Sequence, residues 1–204
     1  MNEKESADTE LEDEFEEDQE EKAKKPRPVL VILQNDGGLV VDNDLIEELH
    51  ERSYFGRIND ATGALFLFPE ELIILSERNR LLAIKDAELD AAKNLLPGIY
   101  SAWDEQGYVA FQDDARFFKN EYLFNHFNDN LPDFWEKYVV YRDLKTRGYI
   151  VRRGIQDVSH FRVYKKGDQK DRGSAKFIYF SVFEGKPISL FKLHEISEYA
   201  MNNR

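Results

Sequence analysis

The hydrophobic pattern is clearest between Phe134 and Tyr164, where it passes from a helical period to an alternating one. Phe134, Tyr138, Tyr141, Leu144 and Lys145 recur at spacings of three and four, which describes one helix with an apolar stripe and a basic end. Gly148 stands where a C-terminal cap is expected, so the spacing predicts a helix from about Pro132 to Arg147. Beyond it, Tyr149, Val151, Phe161 and Val163 alternate with Ile150, Arg152, Arg162 and Tyr164. Such alternation predicts two half-buried strands, with Gly154 to Ser159 as the turn between them. Phe161 and Val163 should face the core, and His160, Arg162 and Tyr164 the other way.

Upstream, Val29 to Leu33 and Leu39 to Val41 flank Asn35-Asp36-Gly37-Gly38 and read as a hairpin. Asn43 or Asp44 is expected to cap a short helix through His50. Ser53-Tyr54-Phe55-Gly56 leads to a strand at Ala64 to Phe68. Pro69-Glu70-Glu71 then opens an amphipathic helix with Leu72, Ile73, Leu75 and Leu81 on its apolar side. From Leu82 the pattern weakens: Asp86 to Leu96 is helical until Pro97-Gly98 stops it, Tyr108 to Phe111 has strand character, and Ala115 to Phe127 is helical and aromatic. An aromatic stripe of this kind is more often core than a base-stacking platform. After Tyr164 a polar loop runs from Lys165 to Gly173, followed by a strand at Lys176 to Glu184 and a last helix from about Ser189 to Asn202. The expected class is α+β: a small N-terminal α+β domain over 29–131, and a C-terminal α/β domain over 132–204 with a central mixed sheet.

Charge changes this picture only at the ends. The net charge of −12 is concentrated in residues 1–21, which hold twelve Asp or Glu and one Lys. With Leu11 and Phe15 as its only large apolar residues, this tail cannot bury enough surface to order itself. Residues 1–28 are therefore expected to be a disordered acidic tail and linker, solubilising or binding a basic partner. Arg142 to Arg204 instead carries fourteen Lys or Arg against seven Asp or Glu, a surplus suited either to a phosphate backbone or to an ordinary solvated surface. There is no cysteine, which excludes disulfides, thiolate nucleophiles and cysteine-ligated metal. No apolar run is long enough to span a bilayer, and the N-terminus is acidic where a secretory signal is basic and then apolar, so a cytoplasmic location is expected. Asp157, Asp168 and Asp171 lie in loops, with no paired strand arrangement suited to Mg²⁺.

Three stretches together resemble a known family. Tyr141-Arg142-Asp143-Leu144-Lys145-Thr146-Arg147-Gly148-Tyr149, Phe161-Arg162-Val163-Tyr164 and Lys176-Phe177-Ile178 are similar to the C-terminal, restriction-endonuclease-like domain of the archaeal tRNA-splicing endonucleases, with the pattern YxDLRxRGYxV…FRVYxxG…HSxFLV. The likeness covers about Tyr138 to Ala200. A weaker one at Leu49 to Ser76 resembles the family's N-terminal domain. The resemblance implies metal-independent and cofactor-free RNA cleavage, leaving a 2′,3′-cyclic phosphate and a 5′-hydroxyl. That chemistry needs a general base, a general acid and a cation, roles the family gives to Tyr, His and Lys. The tyrosine falls on Tyr164, but the histidine position holds Ser174, and the lysine is expected one position past Arg204.

The expectation that follows is a non-catalytic subunit of a tRNA-splicing endonuclease, paired with a catalytic subunit or with itself, that helps position intron-containing precursor tRNA. Arg152, Arg153, Arg162, Lys165, Lys166, Lys170, Arg172 and Lys176 are its candidates for phosphate contact. Two alternatives stay open: an active tRNA-intron lyase using Tyr164 with a substituted acid, and an interaction module that keeps the fold without RNA. His160, His194, His50 and His126 are expected to be structural.

Overall fold

A computed structural model describes residues 26–106, 114–155, 158–165 and 175–202. The acidic tail and the strand expected at Tyr108–Phe111 lie outside the described residues, as do Lys166, Lys170, Arg172 and Ser174.

The hairpin forms as β1 (Val29–Gln34) and β2 (Gly37–Val40), but its turn is only Asn35-Asp36. Gly37 and Gly38 belong to β2. A Cβ on Gly37 would lie 2.3 Å from the Leu67 carbonyl oxygen, and one on Gly38 would lie 2.3 Å from Val31 Cγ1. Glycine is thus used for close approach of neighbouring strands rather than for the turn. Two helical turns over Asn43–Arg52 follow, capped by Asp42, whose carboxylate accepts from the Asp44 N–H at 3.1 Å. β3 (Arg57–Ile58), β4 (Leu65–Leu67), α1 (Pro69–Glu77) and β5 (Leu81–Ile84) complete this part. Its sheet has the order β3-β4-β2-β1-β5, with β5 parallel to β1 and all other pairs antiparallel.

β5 is a correction to the sequence reading, which put Leu81 on the helix. All four of its residues are buried, and a strand buried on both faces shows no alternation to read. The chain turns back at Asn79, whose φ is +55°. There Asn79 N–H donates to the Ser76 carbonyl at 3.0 Å and Arg80 N–H to that of Leu75 at 2.8 Å, closing the helix end in the manner a glycine usually allows.

α2 (Leu89–Gln106) is a second correction, because it continues through Pro97-Gly98. Both residues are exposed, as is Lys93, whose carbonyl would otherwise accept the N–H that proline lacks. The opposite face buries Ala92 and Trp103, with Leu89, Leu95, Leu96 and Ile99 packed beside them against Leu30, Leu82 and Ile84. That burial outweighs a proline cost of about 3 kcal/mol.

α3 (Asn120–Asn130), α4 (Phe134–Thr146), β6 (Ile150–Arg153), β7 (Phe161–Tyr164), β8 (Phe177–Tyr179) and α5 (Leu190–Asn202) form the rest. α4 ends as the sequence predicts. Gly148, at φ +82°, donates to the Lys145 carbonyl at 3.0 Å, and Tyr149 donates to that of Leu144 at 3.2 Å. β6, β7 and β8 pair antiparallel. β8 is shorter than expected, and residues 180–189 run irregularly to α5.

The class is α+β, with the mixed sheet in the N-terminal half and an antiparallel sheet among the described strands of the C-terminal part. One apolar core joins the two: Leu67, Leu72 and Leu75 pack in the same cluster as Tyr138, Tyr141, Leu144, Val151, Phe161 and Val163. No helix among the described residues is long and apolar enough to cross a membrane.

Candidate functional site

A dense polar constellation lies where α1 meets α4, around Glu70 and Glu71, each only 3% exposed. Pro69 is the first residue of α1, which places Glu71 in the third helical position, where a carboxylate can reach back to the helix start. It does so: the Phe68 N–H donates to Glu71 Oε2 at 2.9 Å, and the Gly56 N–H donates to both carboxylate oxygens at 3.0 Å. Tyr141 Oη lies 3.5 Å from Oε1. Burial pushes the Glu71 carboxyl above its usual range, while the Phe68 and Gly56 N–H groups and Lys145 oppose that rise.

Lys145 shares this buried zone. Its Nζ donates to the Ser53 carbonyl at 3.2 Å and sits 4.2 Å from the centre of the Phe55 ring. Burial holds it down to about 8, against the pull of Glu71. Burial, then the negative charge of Glu71, raises the Tyr141 phenol. Arg152 closes the cluster by donating to the Gly56 carbonyl at 2.6 Å. Tyr141, Lys145 and Arg152 therefore bind the Ser53–Gly56 turn and the start of α1. The spacing of a proline two residues before Glu71 was the available signal, but nothing in the sequence names the turn it holds.

The sequence-predicted phosphate contacts divide into two groups. Arg152 and Arg153 face inward: Arg153 donates to Glu70 Oε2 at 2.9 Å and to Oε1 at 3.3 Å, with its guanidinium 4.4 Å from the Phe68 ring centre. Arg162, Lys165 and Lys176 are exposed. Arg162 pairs with Arg152 across the sheet and donates to the Arg153 carbonyl at 3.3 Å. The Lys176 ammonium lies 4.9 Å from the Phe177 ring centre. These three carry positive charge along β7 and the edge of β8, in sequence-independent reach of a polyanion.

Tyr164 ends β7 opposite Ile150 and is only 8% exposed. The alternation that turns Arg162 to solvent is thus not matched by exposure at Tyr164, because the end of this strand is covered. His160 precedes the other end of β7. Its Nδ1 accepts from the Ser181 N–H at 3.1 Å, and its ring stacks on Phe180 at 4.5 Å. Burial, and then Lys137, lowers its pKa. The other histidines make polar contacts of their own: His50 with the Phe55 carbonyl at 3.3 Å, His126 with the carbonyl of Gln34, distant in sequence, at 3.3 Å, and His194 with Glu198 at 3.4 Å.

Comparison with known proteins bears on the same segments. The profile of the family described as "tRNA intron endonuclease, catalytic C-terminal domain" matches residues 134–204. The chain is 29% identical over 139 residues to a tRNA-splicing endonuclease of Thermococcus kodakarensis, covering 68% of this chain and 65% of that one. With the tRNA-splicing endonuclease of Thermococcus onnurineus it shares 31% over 140 residues, 69% of this chain and 64% of the relative. That of Methanosarcina mazei matches at 30% over 164 residues, 80% of this chain but 37% of its own length. The chain thus spans just under two thirds of the two Thermococcus relatives.

Proposed function

The chain belongs to the tRNA intron endonuclease family, and from that premise we propose that it serves in a cytoplasmic tRNA-splicing endonuclease as a subunit that positions precursor tRNA without cleaving it. The observation that carries this reading is the state of the base position: Tyr164 is 8% exposed, which leaves its side chain little surface for a ribose hydroxyl to reach. A general base must come within about 3 Å of the proton it removes. Ser174, at the position of the family histidine, supports the same reading, since a serine hydroxyl is a far weaker proton donor to a leaving oxygen than an imidazolium. Exposed Arg162, Lys165 and Lys176 supply backbone contacts of the kind used for RNA read by shape. A catalytic subunit of the same family supplies the missing groups.

The test is cleavage of an intron-containing precursor tRNA by the purified chain, alone and mixed with a catalytic family member from its own source. Activity only in the mixture, with salt-sensitive binding of the tRNA, is the expected result. Cleavage by the chain alone, with 2′,3′-cyclic phosphate ends, would overturn it and make the chain a lyase in its own right.

A further inference from the structure

A cavity of about 290 Å³ opens between the starts of α1 and α4 and the start of β7, at the end of that strand away from Tyr164. Strand rise over these residues is about 10 Å, so the cavity is separate from the position the family uses for cleavage. Phe134 and Phe161, both buried, and the partly exposed Leu131 give it apolar walls. Its polar groups converge from three elements: Glu70 of α1, Arg153 of β6, and His160 before β7. Lys137 of α4 stands at its rim, where its Nζ donates to the Pro132 carbonyl at 3.1 Å.

We propose that this cavity is a binding site for one guanine nucleotide, taken either free or as a single residue of an RNA strand. The volume stands at the small end of the roughly 300–1,000 Å³ range of ligand pockets, enough for one heterocycle and its sugar. Glu70 is an acceptor-only carboxylate, whereas Arg153 and Lys137 only donate. His160 accepts the Ser181 N–H at Nδ1, which leaves Nε2 as the donor of the neutral ring. Each Glu70 oxygen already accepts from Arg153 but keeps a further lone pair, so one acceptor pair beside several donors complements guanine, whose N1–H and N2–H₂ lie side by side next to O6 and N7. Adenine and cytosine bring a carboxylate only one amino group, and uracil one N–H.

The site is also stiff, which reduces the ordering cost of binding. Arg153 is fixed between the Glu70 carboxylate and the Phe68 ring. Gly154 has no space for a Cβ, which would lie 1.9 Å from Ser159 Oγ. The amino end of α4, which begins at Phe134, and Lys137 favour a phosphate at the mouth. Asp133 and Glu136, the acids at this end of α4, are both paired with Lys186.

The experiment is calorimetric titration of the full chain with GMP, AMP and CMP, and with short unstructured oligoribonucleotides differing only in one G or A. Two variants accompany it. Glu70→Gln exchanges an acceptor oxygen for a donor, and Leu131→Trp fills the cavity from a partly exposed position. The wild type is expected to prefer guanine by about tenfold, Glu70→Gln to lose that preference, and Leu131→Trp to lose binding while keeping its circular dichroism. Preference seen in GMP assigns a free nucleotide; preference seen only in the oligonucleotides assigns an RNA strand. Equal affinity for the three mononucleotides and for the paired oligonucleotides overturns the proposal, as does guanine binding unchanged in Leu131→Trp or no saturable binding of either source. If Glu70→Gln fails to fold, the wild-type ranking and Leu131→Trp still decide. The assay involves neither cleavage nor a partner subunit, so its failure would leave the proposed role in tRNA splicing standing.

Discussion

Replacing Glu71 with alanine removes the acceptor for two backbone N–H groups at once, those of Gly56 and Phe68. The Gly56 N–H is buried and that of Phe68 part-buried between α1 and α4, so neither turns readily to water. A buried donor left without a partner costs about 1–3 kcal/mol, so two cost roughly 2–6 kcal/mol. Removing the carboxylate also relieves its own desolvation, which burial makes unfavourable. The net expected loss is about 3–4 kcal/mol, a large share of the roughly 5–15 kcal/mol that stabilises a domain. Glu71→Gln keeps the shape and one acceptor oxygen and should lose only about 1–2 kcal/mol. Urea unfolding at neutral pH, followed by circular dichroism and by the fluorescence of Trp103 and Trp135, measures both. The midpoint should fall with an unchanged slope. If alanine costs less than about 1 kcal/mol, or glutamine costs as much as alanine, the hydrogen-bond reasoning fails.

Other perturbations test neighbouring features. Lys145 is held down to about 8 when folded, against about 10.4 unfolded. The unfolded chain therefore binds more protons in that window, and stability should rise with pH across it by up to about 1.4 kcal/mol per unit. Lys145→Met should flatten this rise, and parallel pH profiles for the two proteins would refute it. Gly148→Ala meets open space at φ +82° and should cost only about 1 kcal/mol in thermal unfolding. Gly56→Ala, at φ +73° and with Leu65 Cδ1 only 2.6 Å from the new Cβ, should cost about 2 kcal/mol or more; equal losses would contradict the packing described. Reversing Arg162 and Lys176 to Glu should weaken precursor-tRNA binding and shallow its salt dependence, measured by filter binding over a salt series.

How far the structure was readable in the sequence varied with how much of each element faces water. α4 was legible because it is amphipathic and ends on Gly148, and β7 because Arg162 breaks its apolar run. β5 was not, since four buried residues have no polar side to mark a period. α2 misled through Pro97, whose cost could be judged only once its solvent-facing position was known. At the candidate site, residue type announced cations but not their direction. Arg152 and Arg153 are adjacent to exposed Arg162 in the sheet, yet they are held by Gly56 and Glu70, partners nearly a hundred and more than eighty positions away in the chain. Long-range partners of this kind leave no local trace. The burial of Tyr164 likewise depends on what covers the strand end.

The shared core has a practical side for protein engineering. A cut placed between α3 and α4 would pass through one apolar cluster and sever the bonds from Tyr141, Lys145 and Arg152 to the first half. The isolated second half would show water the faces of Leu144, Val151 and Val163 and would be prone to self-association. A chimera that exchanges only this half for a relative's must therefore bring along the Ser53–Gly56 turn and the start of α1, because these act as the other wall of the same interior.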